Sequence, residues 1–349
     1  MTPHYSLIIP VYAASDSITC CLESVMTNPI PSRYEVLVVD DGSLDDSGSI
    51  LESFCLHLSS VMTIHQRNGR SSAARNMGMD LTNAEFICFL DSDDCVTPDY
   101  FATLDREKLE EWDLLIFEYY YGSGNWYTRM AHQYDFDSLR PFEDFVKAGL
   151  LGGSVIKIYR NSIIQQYHVR FDTGVQHSED CVFMCEYLEH TQNIKKIDSA
   201  SAYIYIYNRN PLSITHSYYA QIYKQSVRLM LAREHMLSMK ESHASPDFNN
   251  LARLEDFYYC ALYYCTRSPK DKLLSDINNL LAAFQPYLDP TLPAFTMYRE
   301  YMASLDAVGF VRAYRKRNLI KILEFTARKI ATQAIRNPRV AKMLGFQKK

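Results

Sequence analysis

The stretch Phe86-Ile87-Cys88-Phe89-Leu90-Asp91-Ser92-Asp93-Asp94 sets five apolar residues directly before three carboxylates within four positions. A short apolar run of this kind reads as a strand buried on both faces. Where it surfaces into acids, it offers hard oxygen donors of the sort that Mg²⁺ and Mn²⁺ prefer, often shared with substrate phosphates. An acidic turn that merely ends a strand accounts for the same residues, so the cluster has to be weighed with its surroundings.

The surroundings repeat the pattern. Ser6-Leu7-Ile8-Ile9-Pro10-Val11-Tyr12 is an apolar run closed by a proline and a loop, and 34–39 is another, ending at Asp40-Asp41-Gly42-Ser43. Val61–His65 makes a third short strand. Between them lie helical spacings: 15–27 with Ile18, Leu22 and Val25 on one face, 44–58 with Ile50, Leu51, Phe54 and Leu58, and 71–82 opening on Ser71-Ser72. Strands alternating with helices predict a parallel α/β sheet, and such sheets bind ligands beyond the carboxyl ends of their strands. Pro10-Val11-Tyr12, Asp40-Asp41 and Asp91-Ser92-Asp93 all fall at such ends, so they are expected to face one crevice.

Residues 101–220 are mixed, with aromatic strand-like runs at 114–121 and 202–207. Residues 221–349 read as helices separated by Pro246, Pro269, Pro286, Pro290 and Pro293. The expected division is therefore a first domain over 1–220, with halves 1–100 and 101–220, and a helical C-terminal region over 221–349. No internal repeat is present.

Composition narrows the classes. The chain has 349 residues and is 47% hydrophobic, enough for a sizeable core. Its net charge of −5 is unevenly spread: 311–349 carries twelve Lys or Arg against one acid, Glu324, which leaves 24 basic and 40 acidic residues in the remainder. Within that tail Leu319, Ile322, Leu323 and Phe325 alternate with Arg315, Lys316, Arg317, Lys321, Arg328 and Lys329. A basic amphipathic helix of this kind fits peripheral contact with an anionic membrane, and packing on the acidic body accounts for it too. No nucleic-acid-binding module accompanies the charge. Nine cysteines occur without a CxxC pair, which argues against structural zinc and fits free thiols in a cytoplasmic protein. Neither a signal peptide nor a spanning helix is expected. No GxGxxG follows the first strand and no GxxxxGK[ST] occurs, which argues against dinucleotide and P-loop folds.

Individual residues keep two readings at this level. Asp40 at a strand end can accept hydrogen bonds from a base or ribose, or cap a helix. Arg75 lies in the early turns of a helix opened by small residues, and is either a phosphate ligand or a surface arginine. Glu179-Asp180 opens an apolar helical pattern, either as helix-capping acids or with one carboxylate as a general base.

The segments Ile8-Ile9-Pro10-Val11-Tyr12, Cys21-Leu22-Glu23-Ser24-Val25, Val38-Val39-Asp40-Asp41-Gly42-Ser43, Asp45, Ser72-Ala73-Ala74-Arg75-Asn76-x-Gly78, Phe89-Leu90-Asp91-Ser92-Asp93-Asp94 and Glu179-Asp180 resemble, in this order, the family 2 glycosyltransferases. The likeness is close over about the first 100 residues and looser to about residue 216. It implies a GT-A fold, Rossmann-like with a mostly parallel sheet flanked by helices, a nucleotide-diphosphate sugar donor, and a divalent metal, Mn²⁺ or Mg²⁺. By this resemblance Pro10, Val11 and Tyr12 line the nucleoside pocket, with Asp40 on the base and Asp41 beside it. Arg75 lies near the phosphates. Asp91-Ser92-Asp93 forms the Asp-x-Asp motif, with Asp91 near the ribose and metal and Asp93 on the metal. Asp180 is the catalytic base, Glu179 belongs to the acceptor region, and Arg209 meets the diphosphate. The chain departs from the family pattern at Ala13, Ser15, Arg70 and Cys181.

The expected function is inverting transfer from a nucleotide-diphosphate sugar, a UDP-sugar first, to a hydroxyl of a lipid-linked glycan in surface polysaccharide synthesis. The expected place is the cytoplasm, peripherally on the inner membrane face. A protein or simple lipid acceptor is a second reading, and a catalytically silent nucleotide- or glycan-binding module a third. A nucleotidyltransferase is disfavoured because 13–17 lacks a Gly-rich basic phosphate loop.

Overall fold

Tyr5–Val11 (β1) is buried at every position. Tyr34–Asp40 (β2) lies parallel to it with Val11 opposite Asp40, and Val61–His65 (β3) continues the sheet in parallel beyond β2. On the other side Phe86–Phe89 (β4) pairs in parallel with β1, Ile8 opposite Phe89. Strands buried on both faces need apolar residues throughout, which is why β1, β2 and β4 carry runs rather than alternation, whereas β3 lies at the sheet edge and is partly exposed. In a computed structural model of the chain, the described residues are 3–28, 33–55, 61–107, 109–123, 126–130, 142, 145–146, 148–197, 203–208, 219–240, 246–288 and 304–318. The chain divides into two compact units, Met1–Arg209 with Met236–Ser242, and Asn210–His235 with His243–Lys349.

Pro10 sits in the central strand of the first unit at no cost to the ladder. The Ile8 carbonyl accepts from Leu90 N, so the same edge of residue 10 looks past the end of β4. A strand position without a partner on that edge tolerates the missing N–H.

Helices Ile18–Met26 (α1), Ser47–Cys55 (α2) and Arg70–Leu81 (α3) connect these strands. α1 and α2 begin about three residues later than their apolar spacing suggests. Ala14 N and Ser15 N are taken by Ser47 Oγ (2.9 Å) and Asp45 Oδ2 (3.1 Å), while Asp45 Oδ1 accepts from Ser47 N (3.1 Å). These side-chain bonds hold both loops in non-helical conformation before the helices start. α3 lies close on β1 because Gly78 has no side chain: a Cβ there would be 2.5 Å from Ile8 Cγ2.

The run at 114–121 is not one strand. Leu114–Ile116 (β6) joins the large sheet, and Glu118–Ser123 (β7) belongs to a second one. Lys157–Arg160 (β9) inserts antiparallel between β4 and β6, and Ile194–Lys196 (β10) closes the edge in parallel with β6. The large sheet thus runs β10-β6-β9-β4-β1-β2-β3, mostly parallel as expected. The small sheet has Cys95–Val96 (β5), Tyr203–Asn208 (β11), β7 and Trp126–Met130 (β8), in that order. Shorter helices Tyr100–Arg106 (α4), Asn161–Gln166 (α5) and Glu179–Leu188 (α6) complete this unit.

The second unit is helical among its described residues. It holds most of Ile222–Lys240 (α7), then Pro246–Arg267 (α8), Leu273–Phe284 (α9) and Ala307–Arg317 (α10). Pro246 opens α8, where its missing N–H and fixed φ cost nothing, and Asp306 caps α10 by accepting from Gly309 N (2.9 Å). Phe257, Tyr264, Ile277, Leu281, Phe284 and Phe310 form its core. Of the basic tail only 311–318 is described; the amphipathic segment beyond it lies outside the described residues. No helix among the described residues is long and apolar enough to cross a membrane.

Candidate active site

The carboxyl ends of β1, β2 and β4, three adjacent strands, carry the residues the sequence singled out. Pro10 and Val11 are buried, and Tyr12 beyond them is 51% exposed. Asp41 N donates to the Val11 carbonyl (2.8 Å), which ties the two strand ends together.

Asp40 is buried, with Oδ1 accepting from Ser43 N (3.0 Å) and Oδ2 meeting His65 Nδ1 (2.9 Å). Burial by itself raises its carboxyl; the bonds from Ser43 and His65 outweigh that and hold it below the usual range. It is therefore a preset anion at the end of β2. Asp41 points elsewhere. Its Oδ1 accepts from Gln66 Nε2 (2.7 Å) and from Gly69 N (2.8 Å), the residue before α3. Its Oδ1 thus braces the turn into α3.

Arg75 is only 6% exposed. Its Nη2 donates to Asp91 Oδ1 (2.8 Å) and its Nη1 to Glu179 Oε1 (3.4 Å), with the guanidinium 5.2 Å from the centre of the Phe171 ring. Burial lowers the pKa of this group, but the charges of Asp91 and Glu179 prevail and raise it above the ordinary arginine value. The surface-arginine reading fails here: Arg75 is a buried cation joining the turn after β4 to the start of α6.

The acidic turn itself is divided in role. Asp94 N donates to the Asp91 carbonyl (3.0 Å), and the buried Asp94 carboxylate accepts from Tyr205 Oη and from Asn208 N (2.8 Å). Burial, then the Asp91 charge, push Asp94 up to about 8. Asp94 therefore anchors the turn to β11. Asn208 Nδ2 adds a bond to the Asp93 carbonyl (3.0 Å). Asp91, Ser92 and Asp93 remain partly exposed.

Glu179 and Asp180 open α6. The preceding Ser178 has φ +63° and makes no side-chain cap. Asp180 Oδ1 accepts from Cys181 N (2.9 Å) and Oδ2 from Gly153 N (2.7 Å), so both of its oxygens are oriented. Burial is the main cause of the raised pKa of Glu179, with Arg75 pulling the other way. Arg209 lies outside the described residues.

The structure thus gathers Pro10, Val11, Tyr12, Asp40, Asp91, Ser92 and Asp93 at neighbouring strand ends, and Arg75 links Asp91 with Glu179-Asp180 from a distant part of the chain. No group of three or more His, Cys, Asp or Glu side chains that could hold a metal forms among the described residues. Sequence reasoning missed His65, Tyr205 and Phe171, which carry no motif and reach the site through pairings 25 to 114 residues apart. It also missed Asp45 as a loop organiser, although Asp45 was among the residues that carried the resemblance.

The profile of glycosyl transferase family 2 matches residues 6–169. EpsH of Bacillus subtilis (strain 168), which carries a provisional glycosyltransferase designation, is 30% identical over 237 residues, covering 65% of this chain and 67% of that protein. The poly(ribitol-phosphate) beta-N-acetylglucosaminyltransferase TarP of Staphylococcus aureus (strain N315) is 24% identical over 252 residues, 67% of this chain and 77% of TarP. The chain spans about two thirds of the length of the first curated relatives it matches. Among solved structures, residues 1–349 of TarS from S. aureus in complex with UDP-GlcNAc superpose with a TM-score of 0.66 at 17% identity, covering 91% of this chain and 92% of that one. That likeness is one of fold: a mixed α/β, GT-A-like unit with a mostly parallel sheet, and a helical C-terminal region.

Proposed function

The chain belongs to glycosyl transferase family 2 and is by that membership a glycosyltransferase; on that premise we propose that it moves a sugar from a UDP-sugar to a hydroxyl of a lipid-linked glycan, with inversion, in the building of a bacterial surface polysaccharide. The observation that carries this reading is the Asp40, Asp91 and Arg75–Glu179–Asp180 arrangement at the ends of β2 and β4 and the start of α6. Asp40, already an oriented anion, is suited to accept from the N–H of a uracil ring. The TarS complex makes UDP-GlcNAc the first donor to try.

In the proposed reaction the acceptor oxygen forms its bond to the anomeric carbon as the bond from that carbon to the diphosphate breaks on the opposite face. Asp180 takes the proton of the acceptor hydroxyl. Its two backbone bonds fix the carboxylate and leave a lone pair on each oxygen for that proton. Help of this kind is worth about 10²- to 10⁴-fold in rate. The partly exposed Asp93, with Asp91 beside it, fits a hard divalent cation that takes its other ligands from phosphate and water. When bound, Mn²⁺ or Mg²⁺ would supply positive charge for the leaving diphosphate.

Release of UDP from UDP-GlcNAc and UDP-glucose tests the assignment. Asp180→Asn is expected to cut turnover at least 100-fold with donor binding kept, in line with the general-base range above. Wild-type turnover by a folded Asp180→Asn protein would remove Asp180 from the role. The basic segment 311–349 is the proposed membrane contact, supported by its charge alone. Co-sedimentation with anionic vesicles is expected to disappear when that segment is deleted.

A further inference from the structure

Lys157, the first residue of β9, is 0% exposed. Its Nζ donates to the carbonyls of Gly152 (2.5 Å) and Gly153 (2.8 Å). Both acceptors are neutral, and among the described residues no carboxylate lies in ion-pair contact with the ammonium. Burial lowers its pKa to about 8, while the Asp180 charge acts in the opposite sense. A buried cation on neutral partners is costly, and an apolar side chain of similar volume would fill the same space more cheaply. Packing does not explain this lysine.

Its two carbonyl partners do. Gly153 has φ +69°, a left-handed conformation that suits glycine. That turn aims the Gly153 N–H at Asp180 Oδ2, 2.7 Å away. Gly152 also lies against it, since a Cβ on Gly152 would stand 3.5 Å from Asp180 Oδ2 and 3.6 Å from Cys181 Sγ. A flexible two-glycine loop would hold that geometry poorly unless it were fixed from behind. Lys157 fixes it, gripping both carbonyls of the same loop whose N–H grips the carboxylate.

We propose that Lys157 is a positioning residue for Asp180, fixing the Gly152–Gly153 peptides so that the carboxylate is held in one orientation beside a buried positive charge. This rests on reading Asp180 as the base. The lysine neither touches substrate nor carries the transferred proton. Its hydrogen bonds keep the Gly153 N–H in place.

The test uses the full chain and UDP release from UDP-GlcNAc or UDP-glucose, whichever the wild type turns over. Lys157→Met is expected to lower kcat about 10- to 100-fold, a part of the general-base contribution. The donor KM should stay within about twofold, as expected when only a transition-state interaction is lost. In an Asp180→Asn background the same change should cost nothing further. In the ligand-free protein, the Gly153 amide should lose at least tenfold of its hydrogen-exchange protection in Lys157→Met, with no donor needed for the measurement.

Unchanged kcat and Gly153 protection in a folded Lys157→Met protein would overturn the inference, as would a full-sized loss in the Asp180→Asn background. Should Lys157→Met not fold, Gly153→Ala displaces the same N–H with the lysine kept, and an unchanged kcat there overturns it as well. Failure of the base reading shows separately, as an Asp180→Asn protein that turns over normally.

Discussion

Replacing Arg75 by methionine keeps most of the side-chain volume and removes the one cation between Asp91 and Glu179. The Asp91 and Glu179 side chains are 33% and 20% exposed, so water screens them only in part. Breaking a buried pair by deleting one partner costs about 3–5 kcal/mol. The long 3.4 Å contact to Glu179 and the exposure of Asp91 place the expected loss at the lower end, about 3 kcal/mol. For a unit of roughly 200 residues that is a fall in Tm of about 6–12 °C. The loss should depend on pH. Burial already raises the Glu179 pKa and Arg75 opposes it, so without Arg75 it rises further. A carboxyl raised in this way costs stability only once it ionises, so the penalty is full at pH 8 and shrinks as the pH falls and Glu179 takes up a proton. Urea unfolding followed by circular dichroism at pH 8 and pH 5 reads both quantities. Arg75→Met with Glu179→Gln should recover about 1–2 kcal/mol at pH 8, since the double change removes the stranded charge. A loss under about 1 kcal/mol, a loss equal at both pH values, or further damage from Glu179→Gln would refute the argument.

Three other outcomes follow from the geometry. Gly78→Ala gains about 1 kcal/mol of helix propensity but forces a methyl against Ile8, at a cost of about 1–3 kcal/mol. A net loss of about 1 kcal/mol in thermal melts is expected, and a gain would contradict the close approach of α3 to β1. Asp40→Asn should weaken UDP binding about 10-fold or more, seen as a smaller UDP-induced rise in Tm, because the amide presents one acceptor where the carboxylate presents two. Asp93→Ala should abolish the part of that rise that depends on Mn²⁺ and leave the metal-free part; an intact Mn²⁺ increment would move the metal to other ligands.

β1, β2 and β4 were legible because burial on both faces writes itself as an unbroken apolar run, and because the runs of β2 and β4 stop at acidic clusters; β3, a partly exposed edge strand, was legible from its short β-branched run alone. The breakup of 114–121 was not. Its apolar and aromatic residues run on through Phe117, and nothing local announces that β6 and β7 belong to different sheets. β9 was missed for a related reason: Lys-Ile-Tyr-Arg is short and half charged, and its place between β4 and β6 is fixed by partners about 45 and 70 residues away. The helix starts were read early because the spacing of Ile18 and Ile50 says nothing about Ser47 and Asp45, which hold the preceding turns. In the site, motif-bearing residues such as Asp40, Arg75 and Asp180 were named in advance. Their partners were not, since His65, Phe171 and Lys157 are ordinary residue types whose importance lies in where the fold brings them. Asp41, also a motif residue, sets one carboxylate oxygen on the turn into α3, a contact no motif announces.

Arg75 has a consequence beyond stability. One guanidinium is divided between a carboxylate at the end of β4 and another at the start of α6, elements some 90 residues apart in the chain. A ligand that draws it toward one would loosen its hold on the other. An incoming diphosphate that attracts this cation would release Glu179, and an acceptor that engages Glu179 would free the cation for the diphosphate. Thermodynamic linkage makes the two effects equal in size. The two substrates would then report their arrival to each other through a single side chain, without any large movement.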